Sequence, residues 1–495
     1  MLRKFVKDIA IYSPSKFLPA LTAFITTPIL TRLFPPAEYG YWSLAASVAG
    51  FLVALAVSGF GSAALRYYPA YRAKSTLNVF FATIGISVGT IIIVVAGVSL
   101  LTFLLCKEQI SPALYPLLPL AIMIFIAESI FTVFIVVIRA QERSGLFTIL
   151  QLLRYYSSLG IGILLVMVLG FRVEGLLWGT FLTLVLTLPF LIRMATKGVG
   201  IHPQHFHLAD AQQIWHYTWP LTLGNVAMWG LRVSDLFIIS LFWTERDVGL
   251  YSVSYSISAK SIELLVALFL LSVSPLVYST WENEGQEATE KTLSMITRVY
   301  LILCLPAAVG LSVLAFPFVA LFTTPDYYEG FKIVGFVVFS SFTWGLAFIA
   351  SMGITIKKKA LRLGINQIIA ASIHIGLQLL LVPRFGYTAA AISTLIGYTV
   401  LFVMMTLGSR PYLTWRFPFR TLRNVMVASV LMGLAARGIY GLSGAWNKGS
   451  PIYLFLSIIV AVPTYFVCLW LLGEVKKEEK QRVLQLWFKV TGRGT

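Results

Sequence analysis

The chain has 495 residues, of which 58% are hydrophobic and 12% charged; soluble domains carry roughly 25% charged residues. No soluble fold of this length can bury so much apolar side chain, whereas a bilayer solvates it. The formal net charge of +18 would suggest nucleic acid in a soluble protein, but here basic loops facing anionic lipid account for it, and nucleic acid is not expected as a partner.

A membrane-crossing helix needs about 20 mostly apolar residues. Such stretches fall near 10–33, 41–65, 79–105, 114–138, 146–169, 174–194, 214–242, 250–278, 295–322, 331–356, 364–382, 386–408, 421–441 and 451–472. The expected fold is therefore an all-α polytopic membrane protein with about 14 transmembrane helices. The first stretch lacks a small-residue cleavage pattern and reads as a retained helix. The longest loops, 195–213 and 279–294, are too short for an ATPase module, and no P-loop occurs. Any driving energy must then come from an ion gradient or from the fate of the substrate.

Lys and Arg crowd every second loop, for example Arg66, Arg72 and Lys74, then Arg139 and Arg143, then Lys357, Lys358, Lys359 and Arg362. The alternate loops hold Lys107, Arg172, Arg246, Arg384 and Lys448. By the positive-inside rule both termini are cytoplasmic. Residues 474–495 alternate charge with apolar positions and read as a cytoplasmic tail. Cys106, Cys304 and Cys468 are scattered and form no metal or disulfide pattern. No metal and no cofactor is expected.

An internal duplication is visible. The run from Pro28 to Gly50 matches that from Phe237 to Ala259: Glu38 aligns with Asp247, Gly40 with Gly249, Trp42 with Tyr251 and Ser43 with Ser252, all at an offset of 209. A fainter echo relates the basic turn after Arg139 to that after Ile356. Six spans return the chain to the same side, so the repeat would be parallel, about an axis along the membrane normal. The expected organisation is an N-terminal six-helix bundle (1–200), a pseudo-symmetric C-terminal six-helix bundle (201–412) and an additional helix pair (413–473). Two such bundles suit alternating access, though a channel or scramblase could share them.

Charges inside hydrocarbon cost about 2.5 kcal/mol or more and mark cavities or partners. The spans contain Lys16, Arg32, Glu128, Arg154, Arg232, Asp235, Lys260, Glu263, His374 and Arg437. Arg232 with Asp235, and Lys260 with Glu263, are three apart and share a helix face. Each pair either fixes helix packing or lines a cavity. A cavity with Lys16, Arg32, Arg154, Arg232 and Lys260 would lean basic and suit an anionic headgroup, because guanidinium forks grip phosphate oxygens. Asp235, Glu263 and Glu128 are the candidates for carrying a coupling ion. Pro19 and Pro28 in the first span and Pro220 in the seventh remove backbone hydrogen bonds from the opening helices of the two blocks, which makes them gating candidates.

The run from Thr31 through Glu38-Tyr39-Gly40, the basic turn after the fourth span, and the segment from Arg384 to Tyr398 together carry a likeness. The chain resembles the polysaccharide transporters of the multidrug/oligosaccharidyl-lipid/polysaccharide exporter superfamily. That resemblance implies a flippase without covalent chemistry. It would turn a polyprenyl-diphosphate-linked oligosaccharide from the cytoplasmic to the outer leaflet of a bacterial or archaeal plasma membrane, for O-antigen, capsule or exopolysaccharide biosynthesis. It also implies membrane lipids, a polysaccharide polymerase and chain-length proteins as partners, with the protein acting as a monomer. A lipid II-type precursor flippase and a proton- or sodium-coupled small-molecule exporter are the alternatives.

Overall fold

The computed structural model describes residues 18, 22–442 and 450–474. Every regular element among them is helical. The helices are α1 (22–33), α2 (Pro36–Ala73), α3 (Leu77–Leu105), α4 (Leu117–Ala140), α5 (Ser144–Leu169), α6 (Glu174–Ala195), α7 (Leu208–Phe242), α8 (Glu245–Val313), α9 (Ala315–Phe322), α10 (Phe331–Ala350), α11 (Met352–Ile356), α12 (Ala360–Ser409), α13 (Phe419–Leu442) and α14 (Pro451–Leu471). Eleven stretches among the described residues are long and apolar enough to cross a membrane.

Two of the longest helices are hairpins. Gly285 bends α8 with φ 82°, and Gly386 bends α12 with φ 67°, a left-handed conformation that glycine adopts without a steric penalty. Phe269 and Tyr300 in α8 then meet with ring centroids 5.4 Å apart, where an unbroken helix would hold them roughly 45 Å apart. Likewise Gly397 lies against the His374 side chain. The architecture is thus an all-α polytopic bundle of eleven to fourteen long apolar helices. The stretch 279–294, expected to be a loop, is helical on both sides of Gly285. Its polar residues are helix formers, and Lys291 pairs with Glu287 at 2.7 Å one turn away.

The chain forms two compact units, 1–257 with 359–404, and 258–358 with 405–495. In the first, α2 packs along α4 and α7, and α5 along α6. The α5–α6 seam is built from small residues: Gly179 sits against the Gly162 backbone, and the hydroxyls of Ser158 and Thr180 meet at 2.8 Å. Lipid offers apolar side chains no preference for protein, so close approach of small residues and interhelical hydrogen bonds supply the cohesion.

The duplicated turns meet within this first unit. Gly40 lies against the Glu245 carbonyl, and Gly249 lies against the Pro36 carbonyl. Ser252 donates to Ser43 at 2.7 Å. Residues 36 and 245, 40 and 249, and 43 and 252 are the equivalent positions at offset 209. Position i touches the equivalent of j while j touches the equivalent of i, the reciprocity of a two-fold contact. A Cβ at either glycine would overlap the opposing backbone, so the crossing requires glycine on both helices.

In the second unit α13 packs along α14. The second arm of α8, with α9, and the facing sides of α13 and α14 enclose a groove of about 520 Å³ lined by Ile302, Pro306, Phe318, Met432, Leu454 and Phe466 among other apolar side chains.

Candidate functional site

A carboxylate in the middle of a membrane helix needs partners, because an unpaired buried charge costs several kcal/mol. Asp235 on α7 is fully buried and takes its partners from two other helices. Tyr251 of α8 donates to Oδ2, and Gln378 of α12 donates to Oδ1. The Thr394 hydroxyl, on the second arm of α12, lies 3.0 Å from Oδ2 and 2.9 Å from the Ala390 carbonyl. The bend at Gly386 is what brings Gln378 and Thr394 to the same carboxylate.

His374 completes this group. It is fully buried, with Nε2 3.3 Å from Asp235 Oδ1. The Gln378 amide nitrogen is 2.9 Å from the same Nε2, and the Ser234 hydroxyl is 3.3 Å away. An Nε2 that accepts from Gln378 belongs to a neutral imidazole with its proton on Nδ1. Nδ1 is buried without a hydrogen-bond partner among the described residues. Protonating the ring would turn Nε2 into a donor aimed at Asp235 and create an ion pair. The arrangement sets an imidazole nitrogen 3.3 Å from a carboxylate oxygen in a fully buried site.

The other candidates fall as follows. Arg154 on α5 and Glu128 on α4 form an ion pair at 2.5 Å, and the guanidinium lies 5.3 Å from the Phe131 ring centre. Lys260 and Glu263 pair along α8 at 3.3 Å, with the lysine side chain 43% exposed. Arg232 is exposed on α7 whereas Asp235, three residues on, is buried; their shared spacing does not give them a shared environment. Arg32 is exposed at the end of α1, and Pro28 and Pro220 sit half-buried in α1 and α7, both of which continue as helix through them. Lys16 and Pro19 lie outside the described residues.

Sequence reasoning passed over Gln378 and Thr394 because they carry no charge, and placed Tyr251 only as the repeat partner of Trp42. The signal that could have found them is the spacing of His374 and Gln378, which puts two polar side chains on one face of an apolar helix. A second buried carboxylate was also missed. Glu474, read as the first residue of the tail, is 6% exposed and accepts from Thr421 at 2.6 Å, Asn424 at 3.0 Å and Arg298 Nε at 3.1 Å. Arg298 Nη2 also donates to its backbone carbonyl at 2.7 Å. Burial alone would raise the Glu474 pKa, but these hydrogen bonds and the guanidinium outweigh it and hold the carboxyl below its ordinary range.

The sequence profile of the polysaccharide biosynthesis proteins matches residues 29–332, more than half of the chain. The chain belongs to the polysaccharide biosynthesis protein family. Its helices make it a multi-pass membrane protein of that family. Among curated proteins it is similar to a probable low-salt glycan biosynthesis flippase, Agl15 of Haloferax volcanii, with 21% identity over 362 residues, 71% of this chain and 72% of that protein. Among solved structures it is similar to the lipid II flippase MurJ in an inward closed conformation, with TM-score 0.69, 16% identity, and 91% of this chain and 97% of that one covered. It is also similar to an inward-facing multidrug resistance MATE family transporter of the MOP superfamily, with TM-score 0.61, 14% identity, and 82% and 97% covered. At these identities the two structures speak for the fold.

Proposed function

We propose that this family member is a flippase that carries a polyprenyl-diphosphate-linked glycan from the cytoplasmic to the outer leaflet of the plasma membrane. Both termini lie in the cytoplasm in this reading, and two six-helix blocks alternate access. The observation that carries it is the apolar groove of about 520 Å³ between the second arm of α8 and the α13–α14 pair. A small soluble cargo has no use for a groove without polar lining. A long lipid tail does, while its charged headgroup crosses along intramembrane polar residues. Arg232 and Lys260 would each offset diphosphate charge in its own unit; Arg154 is tied to Glu128 and would contribute less. Asp235 with His374 would take and release a coupling proton.

The cargo has two readings. The sequence profile and the Agl15 likeness favour a polysaccharide repeat unit. The second reading is a lipid II-type precursor, the cargo named for MurJ, whose fold matches over 91% of the chain. Mass spectrometry of polyprenyl-linked glycans after depletion of the protein in its own host decides between them. Accumulation of a complete repeat unit supports the first, and accumulation of a peptide-bearing disaccharide supports the second. If neither accumulates, with no redundant transporter present, the small-molecule exporter gains. Arg232→Ala and Lys260→Ala, expressed at normal level, should abolish headgroup translocation; normal transport by both would sink this site assignment and leave the fold untouched.

A further inference from the structure

Three helix starts converge at one end of the first unit. The N-terminal turns of α2, α4 and α6 line a cavity of about 480 Å³ that includes Glu38, Tyr41, Pro116, Arg172, Glu174 and Trp178. This volume falls within the range of roughly 300–1,000 Å³ that holds small ligands. The turns that border it, before α2, α4 and α6, are all loops poor in Lys and Arg, so the positive-inside rule sets the cavity on the outer face.

Much of its wall is apolar, with charged side chains gathered on one side. Glu38 sits in the first turn of α2 and Glu174 in the first turn of α6, where the helix ends favour a negative charge. Arg172 pairs with Glu38, which leaves the carboxylate 16% exposed and the guanidinium 72% exposed. Trp178 and Tyr41 are half-buried and add two rings to the same wall. A ring that offers a flat apolar face beside carboxylate and guanidinium groups matches a sugar, whose C–H face is apolar and whose rim of hydroxyls both donates and accepts. Two carboxylates against one guanidinium disfavour an acidic sugar.

We infer that this cavity is a saccharide-binding site on the outer face, taking a neutral sugar residue against Trp178 and Tyr41 with its hydroxyls on Glu38, Glu174 and Arg172. The site receives the glycan after translocation; it rests on the proposed function for the origin of that sugar and on the cavity alone for its existence.

The test uses the full-length protein in lipid nanodiscs, probed with a panel of soluble neutral and acidic oligosaccharides. Wild type should bind members of the neutral set. Trp178→Ala and Glu38→Gln should each weaken that binding roughly tenfold, the scale of removing one well-placed contact, and Trp178→Phe should retain it. If Trp178→Ala fails to fold, Tyr41→Ala and Glu38→Gln decide. Failure to bind any neutral saccharide, equal binding by the variants, or preference for acidic sugars would each overturn the assignment. The nanodisc measurement does not depend on translocation, so saccharide binding without glycan accumulation on depletion would remove the flippase reading and keep the site.

Discussion

The Asp235 and Glu474 clusters solve one problem in two ways. Both bury a carboxylate under a threonine and a side-chain amide: Thr394 and Gln378 in the first, Thr421 and Asn424 in the second. The Glu474 cluster adds a permanent cation, Arg298. The Asp235 cluster adds His374, whose charge is optional. A guanidinium stays protonated at every physiological pH, so the Glu474 knot has one state and ties the end of α14 to α8 and α13. An imidazole carries no such fixed charge, so the Asp235 knot is not held by a permanent ion pair.

The sharpest way to break this contrast is to remove the cation. Arg298→Met should leave Glu474 buried and unpaired and cost about 3–5 kcal/mol, seen as an early melting transition in detergent. If Arg298→Met melts no earlier than Asp235→Asn, the two clusters do not differ as argued. Asp235→Asn keeps the hydrogen-bonding shape and should change stability by about 1 kcal/mol or less. Its effect should appear in transport, with translocation down about tenfold or more, equivalent to 1.4 kcal/mol.

Acid sharpens the comparison from the other side. The folded-state pKa of Glu474 lies below its unfolded value. Its contribution is therefore complete above the unfolded carboxylate pKa of about 4.3 and is lost as pH falls through the lowered folded value. Wild type should melt above Glu474→Gln at pH 6 to 7, roughly, and the gap should close below about pH 4. The smallest effect is expected for His374→Asn. It should slow transport, read as an initial rate, while the melting transition moves little.

What the sequence disclosed follows the range of its signals. Apolar run length revealed the spans, because bilayer thickness acts locally on each. The hairpins of α8 and α12 were less visible: Gly285 lies in a polar stretch that reads as a loop, though its Glu, Gln and Ala residues favour helix. Glu128 and Arg154 were each recognisable as intramembrane charges, but nothing in a single chain pairs residues on separate helices. Lys260 and Glu263 were paired correctly because three-residue spacing on one helix is a geometric statement. The same spacing on α7 joins an exposed Arg232 to a buried Asp235. Arg298 and Glu474 are 176 positions apart, and their contact leaves no local trace.

The glycine crossing of α2 and α8 has a consequence for how the protein is made. Gly40 enters the membrane 209 residues before its counterpart Gly249. At translation rates of about 5–20 residues per second, the ribosome needs roughly 10 to 40 s to supply the second glycine. For that interval the crossing surface of α2 faces lipid or the insertion machinery, with its complementary turn not yet synthesised. The small side chains that allow the final close approach also leave little apolar surface there for a wrong helix to grip. Biogenesis thus has a slow, late closure built into it, set by the distance between two glycines along the message.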